Sequence, residues 1–195
     1  MTDLDAALHA LESDDLVVIP TDTVYGIAAA LTPGAIGKVF AVKGRPRDKP
    51  LPVLGASVLQ LERVAAVDDR ARRLAEVYWP GPLTLVLPRS SGFEVDLGRS
   101  GDASVAIRVP DHPLARIVLE RWGPLAVTSA NLSGKAPATT VDEARAWFGD
   151  RVTTYLDGGR CETTEPSTVL SLTDGPDLVR AGPIPERELV QTLTS

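Results

Sequence analysis

The chain has 195 residues, 44% of them hydrophobic and 24% charged, which is enough to bury one substantial core and excludes an intrinsically disordered protein. Its formal net charge of −6 excludes the broad basic footprint of a dedicated nucleic-acid binder, so any anion binding must be local. The single cysteine, Cys161, excludes an internal disulfide, and the two histidines, His9 and His112, have no ligand spacing that would hold a structural metal.

Read in chain order, helices and strands alternate without a repeat or a linker, as in one domain spanning 1–195. The acidic start, Met1 to Asp5, has no signal-peptide apolar region, and no apolar run approaches the ~20 residues of a membrane span, so a cytoplasmic protein without membrane contact is expected. Leu4, Ala7, Leu8 and Leu11 recur at helical spacing behind a Thr2 or Asp3 cap. Leu16 to Ile19 and Gly26 to Leu31 are short apolar runs that read as buried strands. Thr32-Pro33 supplies an N-cap and a first-turn proline for a helix carrying Ile36, Val39 and Phe40.

That helix delivers the chain into Lys43-Gly44-Arg45-Pro46-Arg47-Asp48-Lys49-Pro50, which Gly and two Pro make a loop. Strands follow at Leu51 to Leu54, Leu83 to Leu87, Val105 to Val109 and Leu125 to Thr128, with helices at Arg70 to Tyr78 and Pro113 to Trp122. Thr140 and Glu143 have capping-box spacing ahead of Ala144 to Phe148. Val152 to Leu156, Thr168 to Leu172 and Leu178 to Arg180 read as late strands with antiparallel stretches, and Pro185 to Leu193 as a closing helix. The pattern predicts an α/β protein, a twisted mixed sheet with helices and a concave ligand-binding face.

Four cations within seven residues, Lys43, Arg45, Arg47 and Lys49, repel one another unless water or an anion sits among them. Alone, such a run is a solvated loop. Far downstream, Thr128-Ser129-Ala130-Asn131-Leu132-Ser133-Gly134 offers hydroxyls, an amide and backbone N–H groups after a strand, or simply an Asx-type turn. Together the two segments predict a composite phosphate site. Pro20-Thr21-Asp22-Thr23-Val24-Tyr25-Gly26 places polar groups at a strand end, where open α/β sheets keep ligand groups, although it also reads as a turn. Arg108 sits inside an apolar strand and needs an anionic partner, a ligand or an Asp or Glu. No P-loop, dinucleotide-binding, nucleophile-elbow or zincin motif is present. His112 and Trp79 read as structural residues, and Cys161 has no activating histidine nearby.

These segments, in this order from Pro20 to about Gly182, resemble the YrdC/TsaC family of threonylcarbamoyl-AMP synthases. The resemblance includes Pro80-Gly81-Pro82-Leu83-Thr84-Leu85-Val86, Val105-Ala106-Ile107-Arg108-Val109-Pro110 and Ser167-Thr168-Val169. Family motifs K-x-R and S-x-N fall on Lys43, Arg45, Ser129 and Asn131. The resemblance implies a transferase that joins L-threonine, bicarbonate or CO2 and ATP, with Mg²⁺, into threonylcarbamoyl-adenylate and pyrophosphate. Partner proteins then transfer the threonylcarbamoyl group to adenosine 37 of tRNA, and a weak contact with tRNA itself is part of the expectation. It implies Lys43 and Arg45 as catalytic residues. Arg45, Arg47, Lys49, Ser104, Ser129, Asn131 and Arg180 would hold ATP, and Thr23, Arg108, Thr128 and Ser167 would hold threonine. Leu54 stands where some members carry a histidine, so no threonine contact is assigned there, and the length matches the short, single-domain form. The alternatives are a non-catalytic double-stranded-RNA or tRNA-binding module of the same fold, and a carbamoyl-adenylate site like that of hydrogenase-maturation carbamoyltransferases.

Overall fold

The computed structural model describes residues 2–99, 101–161 and 163–194, so both ends of the expected 1–195 domain, Met1 and Ser195, lie outside the described residues. In chain order the elements are α1 (Asp3–Glu12), β1 (Val17–Ile19), β2 (Gly26–Ala29), α2 (Pro33–Lys43), β3 (Val53–Leu54) and α3 (Val58–Leu61). Then come α4 (Asp69–Tyr78), β4 (Leu83–Pro88), β5 (Ser104–Arg108), α5 (Pro113–Trp122) and β6 (Leu125–Ser129). The chain closes with α6 (Val141–Phe148), β7 (Thr154–Tyr155), β8 (Thr168–Ser171), β9 (Asp177–Arg180) and α7 (Glu186–Thr194).

Local chemistry sets the helix ends. Thr2 and Asp5 form a reciprocal capping box at α1, and Thr32 with Pro33 opens α2 as its sequence predicts. The capping box expected at α6 is only half formed. Thr140 accepts from the Glu143 N–H at 3.2 Å, but the Glu143 carboxylate reaches one residue further back, to the Thr139 N–H at 2.7 Å and its hydroxyl at 3.0 Å. The short α3, capped by Ser57, is not signalled by any apolar period.

Nine strands form one mixed, twisted sheet in the order β7-β1-β2-β6-β3-β5-β4-β8-β9. β1 with β7, β3 with β5 and β4 with β8 are parallel, and the remaining neighbours are antiparallel. Side chains alternate between faces along each strand. Ile27, Val53, Leu85 and Ile107 share one face and pack in a core with Ile36 and Val39 of α2 and Leu74 of α4. Val17, Ile19, Leu125 and Val127 sit on the opposite face under Ala7 and Leu11 of α1 and Ala115 and Leu119 of α5. That second cover reaches from β1, β2 and β6 as far as Leu54 of β3. Beyond it the sheet presents Ala106, Thr84, Val86 and Val169, and this bare concave stretch is the floor of a cavity.

Candidate active site

The cavity holds about 440 Å³, within the range of small-molecule sites. Arg45, Lys49, Arg108 and Arg180 line it, against Asp48 as the one lining carboxylate among the described residues. An acidic chain therefore concentrates positive charge at one place.

Its threonine-rich wall is the turn between β1 and β2. The Thr21 hydroxyl donates to Val24 O at 2.6 Å and accepts from the Val24 N–H at 3.2 Å, which closes the turn and sets Thr23 beside it. Thr23 Oγ1 in turn accepts from Arg108 Nη1 at 3.0 Å. Arg108 also donates from Nε to Gly81 O at 2.9 Å and from Nη2 to Asp22 Oδ1 at 2.6 Å. Burial lowers the pKa of this guanidinium, and Asp22 opposes the shift. Three of its five N–H donors are thus engaged. The anionic partner that the strand position demands is Asp22, the structural of the two alternatives open in the sequence, and Arg108 lines the cavity as well.

Two further guanidiniums face the same space. Gly44, at φ +58°, ends α2 in the left-handed region that glycine tolerates, and the loop then curls around Arg45. Arg45 donates to Lys49 O at 2.8 Å and Pro50 O at 3.0 Å. Arg180 donates to Ser167 O at 2.7 Å and to Ser167 Oγ at 3.1 Å, and Ser167 Oγ lies 2.7 Å from Thr84 Oγ1. Burial lowers the pKa of Arg45, and the charge of Arg180 adds to it; Arg180 is lowered by burial and then by Arg108. Arg180 thus stands between two like charges, Arg45 and Arg108, that it repels.

Eight of the residues expected at the ligand line the cavity: Thr23, Arg45, Lys49, Arg108, Thr128, Ser129, Ser167 and Arg180. Four expected there do not. Lys43 is not a loop residue but the last residue of α2, and its buried amine lies 2.5 Å from Ser129 O, 2.7 Å from Asn131 O and 3.3 Å from Asn131 Oδ1. Asn131 spends its amide on Leu132 O, Lys135 O and the Ser129 hydroxyl, so it shapes the loop that carries Ser129. Arg47 turns outward to pair with Asp96 at 3.3 Å and cover the Phe40 ring. Ser104 shares the sheet face of Ala106 and Arg108 but caps the far end of β5, with its hydroxyl on Asp102.

Sequence reasoning missed Thr84, whose hydroxyl in the apolar run Leu83 to Leu87 was a usable signal, and the role of Asp22. It left Tyr25 without a role; this phenol donates to Gly159 O at 2.6 Å and accepts from the Gly158 N–H at 3.1 Å, pinning the 157–161 loop, and burial pushes it up to about 12. Leu54 lines the cavity as an apolar residue. Cys161 is buried against Thr21 O with its thiol pushed up, unlike a nucleophile, and burial pushes the His112 imidazole down at the head of α5.

Comparison with known proteins defines the class. The family profile Sua5/YciO/YrdC, described as telomere recombination, matches residues 9–182. A relative from Mycobacterium tuberculosis is 40% identical over 191 residues, covering 96% of this chain and 88% of the relative. The threonylcarbamoyl-AMP synthase of Yersinia enterocolitica is 36% identical over 169 residues, 83% of this chain and 88% of that protein. Among solved structures, Pyrococcus abyssi Sua5 complexed with L-threonine superposes with a TM-score of 0.90 at 36% identity, over 98% of this chain and 58% of that one. The chain therefore belongs to the Sua5/YciO/YrdC family, and it spans little more than half the length of the Pyrococcus protein.

Proposed function

We propose that the cavity joins L-threonine, bicarbonate or CO2 and ATP into threonylcarbamoyl-adenylate, a nucleotidyl transfer that releases pyrophosphate. One observation carries this reading: among the described residues, four cations and one carboxylate surround a 440 Å³ cavity in a chain of net charge −6. The name of the Yersinia relative and the threonine complex of the Pyrococcus one support it.

The neutral threonine amine bonds to the carbon of CO2 and gives up one proton to solvent, leaving a carbamate. A carbamate oxygen then bonds to the α-phosphorus of ATP as the bond from that phosphorus to pyrophosphate breaks. Nucleophile and electrophile are both anionic, so fixed positive charge does more here than a general base. Arg45, Lys49 and Arg180 take the triphosphate side. Arg108, with Thr23, Thr128 and Ser167, takes the threonine side, and Ser129 meets the nucleotide. Lys43 and Asn131 act one layer back by holding the Ser129 loop, and Arg47 and Ser104 do not touch the reacting atoms. Mg²⁺ would accompany the triphosphate. Among the described residues no three His, Cys, Asp or Glu side chains form a metal-holding group, and Asp48 is the one carboxylate at the cavity. Asp48 is the side chain that would hold the ion, which would neutralise charge on the leaving group. Downstream proteins would move the threonylcarbamoyl group to tRNA in the cytoplasm. Among the described residues no helix is long and apolar enough to cross a membrane.

The test is direct. Purified protein with ATP, Mg²⁺, L-threonine and ¹⁴C-bicarbonate should release pyrophosphate and form a labelled adenylate, and omitting threonine should abolish the label. Absence of the adenylate together with tight, salt-sensitive tRNA binding would replace this reading with the RNA-binding one.

A further inference from the structure

A second cavity of about 370 Å³ shares no lining residue with the first. Its apolar wall comes from Val58, Trp79, Pro80 and Val109, and its charges come from Arg72 and Glu76 of α4 and Arg116 of α5. Arg72 already meets Glu62 at 2.9 Å. Arg116 is different. Its paired carboxylate, Glu120, stands 3.9 Å from one terminal nitrogen, and the side chain is 41% exposed, which leaves its terminal N–H groups open to a ligand. A ligand carboxylate can accept parallel N–H bonds from the two terminal nitrogens of a guanidinium, closer than Glu120 stands. Glu76 opposes a second negative charge, which selects a mono-anion over a phosphate.

We infer that this second cavity binds a small organic carboxylate with an apolar body, the carboxylate on Arg116 and the body against Trp79 and Val58. Its wall adjoins the residues that hold Arg108. Gly81, next to Pro80, accepts from Arg108 Nε at 2.9 Å and donates its N–H to Val109 O at 2.9 Å. A ligand that displaces Pro80 or Val109 thus acts on Arg108 through two hydrogen bonds.

The full chain, labelled with ¹⁵N, is titrated with 3-phenylpropionate and, as a neutral control, 3-phenylpropan-1-ol. Two side-chain N–H groups report: the Trp79 indole, fixed on Leu83 O at 2.6 Å, and Arg108 Nε–H, fixed on Gly81 O at 2.9 Å. Both should shift saturably with the carboxylate. The alcohol should bind roughly tenfold or more weakly, and Arg116→Met should weaken the carboxylate by a similar factor. No saturable shift, equal response to the alcohol, or undiminished affinity in Arg116→Met would overturn the site. A moving Trp79 signal beside a still Arg108 signal would overturn the link to the first cavity. Neither readout depends on turnover, so the outcome stands apart from that of the adenylate assay.

Discussion

Two groups of cations in this chain are held differently. Four on the surface meet carboxylates: Lys38 with Asp15, Arg47 with Asp96, Arg70 with Asp68, Arg72 with Glu62. Those around the first cavity meet mostly neutral oxygens. Arg45 is held by two carbonyls, Arg180 by a carbonyl and a hydroxyl, and only Arg108 has a carboxylate. Neutral acceptors fix the direction of a guanidinium without cancelling its charge. The surface population has its countercharge built in, whereas the cavity population keeps most of its positive potential for a ligand.

Arg108 is where the two populations overlap, and breaking it should give the largest effect. Arg108→Gln should raise the Michaelis constant for threonine roughly 10- to 150-fold, the worth of a lost charge-assisted contact. It should also weaken the fold by about 3 kcal/mol or more, because Asp22 loses its partner while largely buried. Asp22→Asn separates the two roles. It should lower the melting temperature yet change the threonine constant far less, since the guanidinium keeps its charge and its bonds to Thr23 and Gly81. Equal loss of threonine affinity in both variants would reduce Arg108 to a structural ion pair.

Much of this division was legible in the sequence, but not all. The helices around Ile36, Leu74 and Val118 were legible because caps, prolines and apolar spacing agree. The strands were legible because each is a short apolar run between breakers. The cavity's contributors were legible as ordered motifs. Lys43, Arg45, Arg47 and Lys49 look equivalent as a string, however, and which of them faces the cavity follows from where α2 ends. Its left-handed Gly44 leaves Lys43 on the helix, buried under Ser129, and sends Arg45 inward and Arg47 outward. The Thr84–Ser167 contact joins residues 83 apart through the parallel β4–β8 pair, a register no local pattern encodes.

Lys43 sharpens the comparison from inside the protein, with a smaller effect. Burial, and then the charge of Arg45, pushes its amine down to about 7 from an ordinary value of 10.5. A neutral amine keeps two N–H donors, enough for its two short contacts to Ser129 O and Asn131 O. Between those two values the unfolded chain holds a proton that the folded chain has shed, so stability rises with pH across that window. From pH 7 to 9 the rise is at most about 3 kcal/mol, or several degrees in melting temperature. Lys43→Met should lose this rise, so the wild-type-minus-variant difference in melting temperature should grow with pH across that window. Parallel melting curves for the two proteins over that range would show that Lys43 stays charged in the fold.

The smallest effect belongs to Arg47, and its smallness is the point. Its pair with Asp96 has both side chains more than half exposed, at 55% and 54%, and such pairs are worth roughly 0.2–1 kcal/mol. Its stacking over Phe40, 4.9 Å from the ring centroid, adds about 0.5–1 kcal/mol at such an exposed site. Arg47→Gln should therefore cost a few degrees of melting temperature at most and leave the Michaelis constant for ATP within about threefold of wild type. Arg45→Gln, two residues away and of the same chemistry, should raise that constant roughly 10- to 150-fold. The contrast tests whether direction, rather than charge density in the loop, decides which cation serves the ligand. If both variants lose ATP affinity alike, the triphosphate extends past the cavity along the outer side of the loop. The surface pairing of Arg47 with Asp96 would then be a resting arrangement that ATP displaces.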